Sequence, residues 1–301
     1  MGPPVKRRPP NAHITILMPL KYYSFRFLDR ALNSVFNQTD PAWHLLVIAD
    51  EVDVVFFQEL LEKQLRDPRV QLTSYKGKTW SGTLNTGMRV AATPFVAPLF
   101  GDDMWAPNAV EVLNHHIAKY PNVDFFHSSR VVIDENDVPI SQVFLSRDNF
   151  SLQEFRKHSP VKHLLCWRRE MALSFGGVDE SIVVGPDDYD FPWIMAEKGA
   201  TFMAIKECLY LYRNHCDHYR LTTHIPRWNH RWQVNKILKK HGVGFLSRLW
   251  ILLRRGKGLG GQCIYDSEWD RWLKNVTKRD PRSLWSKKTP RYAQTNRRKT
   301  A

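Results

Sequence analysis

The sequence predicts an α/β protein, a mostly parallel open sheet flanked by helices, followed by a basic, mainly helical C-terminal extension. Three observations predict it. Short apolar runs rich in β-branched residues begin about every 25 to 30 residues and alternate with helical stripes through the first hundred positions. Two acidic doublets, Asp102-Asp103 and Asp187-Asp188, directly follow apolar or glycine-containing segments. Basic residues are concentrated after residue 217.

The elements follow in order. His13 to Met18 is a short apolar run ended by Pro19, which suits a buried parallel strand. Apolar residues at 25, 27, 28, 31, 32, 35 and 36 form a helical stripe closed by the polar turn from Asn37 to Pro41. Trp43 to Ala49 is the next strand, with Asp50 at its carboxyl end. Val55 to Leu65 repeats the helical spacing, and Val70 to Tyr75 reads as a third strand. Gly82 to Ala92 reads as a helix, and Phe95 to Leu99 as a strand leading into Asp102-Asp103. Strands and helices alternating in this way form a largely parallel sheet, and ligands of such sheets bind beyond the carboxyl ends of the strands. Asp50 and the first doublet both fall at that edge. A carboxylate there is costly to desolvate unless it meets a cation or hydrogen-bond donors. A turn or a helix N-cap is the bland alternative for either doublet taken alone.

A chain of 301 residues, 43% of them apolar, is long enough to bury a large core. Residues 1–11 are basic and proline-rich, with no signal-peptide pattern, and no run reaches the roughly 18 apolar residues of a membrane span. The four cysteines lack paired spacing, so reduced thiols in a cytoplasmic protein are expected. The net charge of +14 is uneven: residues 218–301 hold 21 basic and 4 acidic side chains, which leaves 1–217 at −3. Such a tail suits an anionic partner (a lipid surface, nucleic acid or a phosphorylated substrate), or serves only as a solvated tail.

The order of motifs resembles a known family. Ile14-Thr-Ile-Leu-Met-Pro-Leu20, Phe27 to Thr39 and Trp43 to Asp50 resemble the opening of the family 2 GT-A glycosyltransferases. Asn85-Thr-Gly87 is similar to that family's Asn-x-Gly helix, and Leu99 to Pro107 to its Asp-x-Asp region. Gly176 to Glu180 followed by Asp187-Asp-Tyr-Asp190 is similar to its acceptor-side acidic motif, and Tyr210 to His215 to its closing Tyr-Arg-x-His strand. The resemblance covers about residues 12–218. It implies a GT-A catalytic domain over 12–218, preceded by a flexible N-terminus at 1–11. A basic helical extension over 219–280 and a disordered basic tail over 281–301 lie beyond it.

The resemblance also implies roles. The enzyme is expected to move a sugar from a nucleoside-diphosphate donor to an acceptor hydroxyl with inversion, assisted by Mn²⁺ or Mg²⁺. Pro19, Leu20, Asp50, Asn85, Asp102 and Arg220 are expected around the nucleotide sugar. Asp102 would lie near the ribose, and Asp50 would accept from the imide of uracil or thymine, which favours UDP or dTDP. Asp103 and His215 are expected at the metal, and Asp188, beside Asp187 and Asp190, as the base. Phe100 stands where many members carry a further aspartate. The chemistry fits these residues on its own terms: hard cations favour oxygen ligands, and clustered carboxylates raise one pKa towards the working pH. Asn214 to His224 is dense in potential zinc ligands, but the spacing fits no closed four-ligand site. Arg168-Arg169 is either a phosphate contact or a solvated helix face.

A GT-A-like nucleotidyltransferase and a non-catalytic basic nucleic-acid-binding protein are the alternatives. Asp187-Asp188 argues against the first, and the lack of a recognition motif argues against the second. Between 243 and 257, Phe245, Leu246, Leu249, Trp250 and Leu253 form one helical stripe flanked by Arg248, Arg255, Lys239-Lys240 and Lys257. That pattern suits peripheral contact with an anionic membrane, or packing on the body or on a second copy in a homodimer.

Overall fold

The computed structural model describes residues 12–20, 25–77, 79–182, 186–215 and 227–253. The N-terminal half runs β1 (Ile14–Pro19), α1 (Phe25–Phe36), β2 (Trp43–Asp50), a 3₁₀ turn (Glu51–Asp53), α2 (Val54–Leu60), α3 (Glu62–Leu65), β3 (Val70–Tyr75), α4 (Trp80–Val90) and β4 (Phe95–Pro98). The expected alternation is therefore present, with two local differences. The helix expected over 55–65 breaks at Leu61, whose φ of −100° and ψ of 16° lie outside the helical region. The helix expected from Gly82 begins earlier, because the Thr79 side chain caps it by accepting from the Gly82 amide.

The chain continues with β5 (Met104–Trp105), α5 (Ala109–Lys119), β6 (Phe125–Ile133), α6 (Leu152–Phe155), β7 (Leu165–Arg168), α7 (Arg169–Ser174), a π-helical turn (Pro186–Asp190), α8 (Phe191–Glu197), β8 (Phe202–Arg213), α9 (Arg227–Lys240) and α10 (Phe245–Leu253). The eight strands form one sheet in the order β3-β2-β1-β4-β7-β6-β8-β5. Parallel pairing joins β3, β2, β1 and β4, and again β6 and β8; β7 and β5 pair antiparallel with their neighbours. β1, β2, β4, β6 and β8 thus all point their carboxyl ends to one edge.

Every residue of β1 is buried, as expected of a central parallel strand covered on both faces. One face packs against α1 and α5 through Leu28, Leu32 and Leu113; the other packs against α4, α7 and α8 through Leu84, Met88, Ala172 and Phe191. A third cluster joins Phe155, Tyr189 and Trp193 to Val234, Ile237 and Leu238 of α9. Burying those three aliphatic side chains contributes on the order of 5 kcal/mol before the entropy of ordering the helix. Residues 234–243 of the expected extension thus pack onto the body. Residues 254–301, with the expected disordered tail, lie outside the described residues, as do 1–11.

Candidate active site

Because β1, β2, β4 and β8 run the same way, Leu20, Asp50, Asp102-Asp103 and His215 gather along one sheet edge. Pro19 ends β1, and the amide of the buried Leu20 donates to Ile48 O at 2.9 Å. Asp50 ends β2 in register with Tyr75 and makes no capping bond to the turn that follows. This places all three at the mouth expected for the nucleotide.

The two carboxylates of the first doublet have different surroundings. Asp103 is 1% exposed; Tyr210 Oη donates to its Oδ2 at 2.7 Å and Arg213 N to its Oδ1 at 2.8 Å. The residue expected at the metal is thereby tied to β8 just ahead of β5. Asp102, expected near the ribose, is the one that meets His215: its Oδ2 lies 3.2 Å from His215 Nε2. His215 in turn packs against the Phe27 ring at 4.5 Å.

The turn is held by Arg213, whose guanidinium is fully buried. Its Nε donates to Asp102 O at 2.7 Å, and its Nη1 donates to Asp134 O at 2.9 Å and pairs with Asp137 at 2.5 Å. It also lies 4.6 Å from the centre of the Phe27 ring. A buried cation needs this compensation. Sequence reasoning missed Arg213, although it belongs to the Tyr-Arg-x-His segment. Phe100, the departure from the family pattern, packs tilted against Trp80 at 4.9 Å and edge-on to His163 at 5.9 Å between ring centres, so aromatic packing occupies the place of a charge.

Trp80 opens α4, and α4 holds the stretch from Val178 to Ile182 that precedes the second doublet. Asn85, expected at the nucleotide sugar, is 3% exposed and has its amide engaged elsewhere. Its Nδ2 donates to Val178 O at 2.8 Å and to Glu180 Oε1 at 3.0 Å, and its Oδ1 accepts from Val178 N at 2.8 Å. Both amide hydrogens are taken by the protein, so Asn85 clamps the 178–180 segment to α4. Thr79 Oγ1 donates to Glu180 Oε2 at 3.1 Å, and Ser81 Oγ donates to Ile182 O at 3.1 Å. The glycines of this region are required by space and conformation. Gly177 has φ +78°, and a Cβ on it would lie 2.4 Å from Asn85 Oδ1; one on Gly82 would lie 2.0 Å from Tyr75 Oη.

Asp188 lies in the π-helical turn before α8 and is 8% exposed. Single π turns recur at functional sites because they re-aim side chains. Asp187 shares the turn, though its side chain, like all of Arg220, lies outside the described residues. Asp190 is fully buried, bonded to Lys240 and 3.0 Å from His241 Nε2. Among the described residues, no group of three or more His, Cys, Asp or Glu side chains could hold a metal ion; most of the 214–224 segment weighed for zinc lies outside them. Arg168 pairs with Asp124 at 2.8 Å, and Arg169 donates to Thr93 O at 3.1 Å, so both serve the fold.

Residues 15–168, just over half of the chain, match the family described as Glycosyl transferase family 2. The chain belongs to this family. Among curated proteins it is similar to the Escherichia coli UDP-Glc:alpha-D-GlcNAc-diphosphoundecaprenol beta-1,3-glucosyltransferase WfgD, at 30% identity over 42% of this chain and 48% of the relative. The match thus spans about half of that protein. Among solved structures it is similar to S. aureus TarS 1-349 in complex with UDP-GlcNAc, with a TM-score of 0.59 at 12% identity, over 88% of this chain and 74% of the other. It is also similar to the mannosyltransferase PcManGT from Pyrobaculum calidifontis in complex with GDP-Man and Mn²⁺, with a TM-score of 0.50 at 15% identity, over 88% of this chain and 70% of the other. The fold is GT-A, in which the expected mostly parallel sheet is a mixed one: β5 and β7 run against the rest.

Lys240 and His241, which hold Asp190, and Glu180, which α4 holds, were also missed by sequence reasoning. The last has a visible signal in the Gly-Gly-Val-Asp-Glu segment. The first two have none, because their partners lie about fifty residues away in the chain.

Proposed function

We propose that this family 2 chain is an inverting glycosyltransferase that moves a sugar from a nucleoside-diphosphate donor to an acceptor hydroxyl. The observation that carries the reading is the Asp102–His215 pair, which shares the carboxyl edge of the sheet with Asp50 at the end of β2. Asp50 accepts from the imide N–H of the base, which favours UDP or dTDP; the names of the relatives WfgD and TarS 1-349 carry uridine donors, which supports the same choice. Family membership favours sugar transfer over the nucleotidyltransferase and nucleic-acid-binding alternatives.

The residues fit a divalent cation. Asp102 Oδ2 and His215 Nε2 are 3.2 Å apart, close to the roughly 3 Å between adjacent ligands of an octahedral ion bound at about 2.1 Å. Asp102 and His215 would hold Mn²⁺ or Mg²⁺, with donor phosphates completing the shell, in place of the Asp103 expected from sequence. When bound, the cation neutralises the diphosphate leaving group. Asp103 and Arg213 keep the turn rigid, so Asp102 meets the donor without reorganising. Asp188 takes the proton of the acceptor hydroxyl, and a single base facing the leaving group gives inversion.

The acceptor side is proposed to lie at an anionic membrane surface, with α10 as the contact. Phe245, Leu246, Leu249 and Trp250 are 68%, 78%, 40% and 60% exposed, an apolar face with Arg248 beside it. Among the described residues no helix is long and apolar enough to cross a membrane, so the contact would be interfacial. The experiment for the whole reading is a thermal-shift screen of nucleotide sugars with and without Mn²⁺. The true donor at 100 times its dissociation constant adds about 2.7 kcal/mol only when the cation is present. Stabilisation by nucleotide sugars that is indifferent to Mn²⁺ would overturn the metal reading, and none with any donor would overturn the function.

A further inference from the structure

We infer that Lys240 and His241, at the end of α9, are positioning residues for the turn that carries Asp188. The helical extension, which lies outside the family match, is then a working part of the active site. This rests on the reading of Asp188 as the base.

The geometry is that of a clasp. Asp190, two residues after Asp188, is fully buried. Its Oδ2 accepts from Lys240 Nζ at 2.8 Å and its Oδ1 lies 3.0 Å from His241 Nε2. The same ammonium reaches Asp179 Oδ2 at 2.7 Å, so one side chain ties the segment preceding Asp188 to the one following it. His241 Nδ1 is 2.9 Å from Glu197 Oε2 at the end of α8, and its ring lies flat on Trp193 at 3.9 Å with 4° between the planes. Tyr189 closes the turn from beneath, its Oη donating to Phe155 O at 2.7 Å.

Two physical arguments make this clasp more than packing. A carboxylate as deeply buried as Asp190 is tolerated only when paired, so the turn holds its shape only while Lys240 and His241 are in place. A base must also sit within hydrogen-bond reach of the acceptor hydroxyl, and a displacement of about 1 Å costs about 100-fold in rate. The donor edge at β1, β2 and the Asp102 turn shares none of these contacts. Loss of the clasp therefore acts on the chemical step and leaves donor binding alone.

The test uses the full-length protein with Lys240→Met, His241→Ala and the conservative Lys240→Arg, read first by hydrogen–deuterium exchange. Lys240→Met and His241→Ala should accelerate exchange across 186–193 by at least about tenfold while β1 and β2 exchange as in the wild type. Lys240→Arg should restore protection. Unchanged exchange at 186–193, or acceleration spread evenly over the sheet, overturns the inference. Exchange needs no substrate, so this result stands apart from any failure of the proposed activity. With a donor in hand, the same variants should lower kcat by about 10- to 100-fold with donor KM within twofold. A rise in donor KM with kcat unchanged would overturn the positioning role.

Discussion

Replacing each aspartate of the first doublet with alanine separates a structural carboxylate from a ligand carboxylate. Asp103→Ala strips the acceptor from two buried donors, Tyr210 Oη and Arg213 N. Each stranded donor costs about 1–3 kcal/mol, or about 2–6 kcal/mol together. Against a total stability of about 5–15 kcal/mol this is severe, and it lowers the melting temperature by roughly 5–20 °C. Asp102→Ala removes its contact with the His215 ring, a loss of about 1 kcal/mol. Divalent binding should follow the opposite order. Urea unfolding gives the stabilities, and electron paramagnetic resonance of free Mn²⁺ in the presence of UDP gives the affinities. Asp102→Ala should lose at least about tenfold in Mn²⁺ affinity, a difference of 1.4 kcal/mol; Asp103→Ala, assayed below its melting temperature, should lose little. A stable Asp103→Ala that no longer binds Mn²⁺, beside an Asp102→Ala that binds it normally, would refute the reasoning.

Three more outcomes are expected. Asp188→Asn should keep donor-dependent thermal stabilisation and lose about 10²- to 10⁴-fold in transfer; an active Asp188→Asn would remove it as the base, and a product with retained anomeric configuration would remove the single-base scheme. His127 is fully buried, and desolvation lowers its pKa from 6.5 to about 3. It is neutral in the folded chain and gains its proton on unfolding between those values, so its contribution is complete above pH 6.5 and falls as pH drops. At about 1.4 kcal/mol per pH unit the wild type should lose about 2 kcal/mol between pH 7 and pH 5, and His127→Leu should flatten that slope in urea titrations. Finally, co-sedimentation with anionic vesicles should fall with added salt and vanish on truncation near residue 242, whereas equal recovery of both proteins in the supernatant would leave α10 without a membrane role.

What could be read from the chain alone is what depends on local periodicity. Short apolar runs and the 3.6-residue pattern placed β1, α1, β2 and β3 almost residue for residue, because a parallel strand buried on both faces is apolar throughout and a one-sided helix repeats its apolar positions every three to four residues. The common edge for Asp50, Asp102 and His215 followed from the parallel alternation and the family order of motifs. The tertiary structure decided how neighbouring carboxylates divide their roles. Asp102 and Asp103 are identical in type and adjacent, yet Tyr210 and Arg213, more than a hundred residues later, take both oxygens of one and leave the other facing His215. Asn85 became a clamp only because Val178 and Glu180 reach it, and Asp190 left the acidic cluster because α9 brings a lysine and a histidine to it. Such roles rest on contacts between distant segments, and a one-dimensional pattern carries no record of which donor arrives at which oxygen.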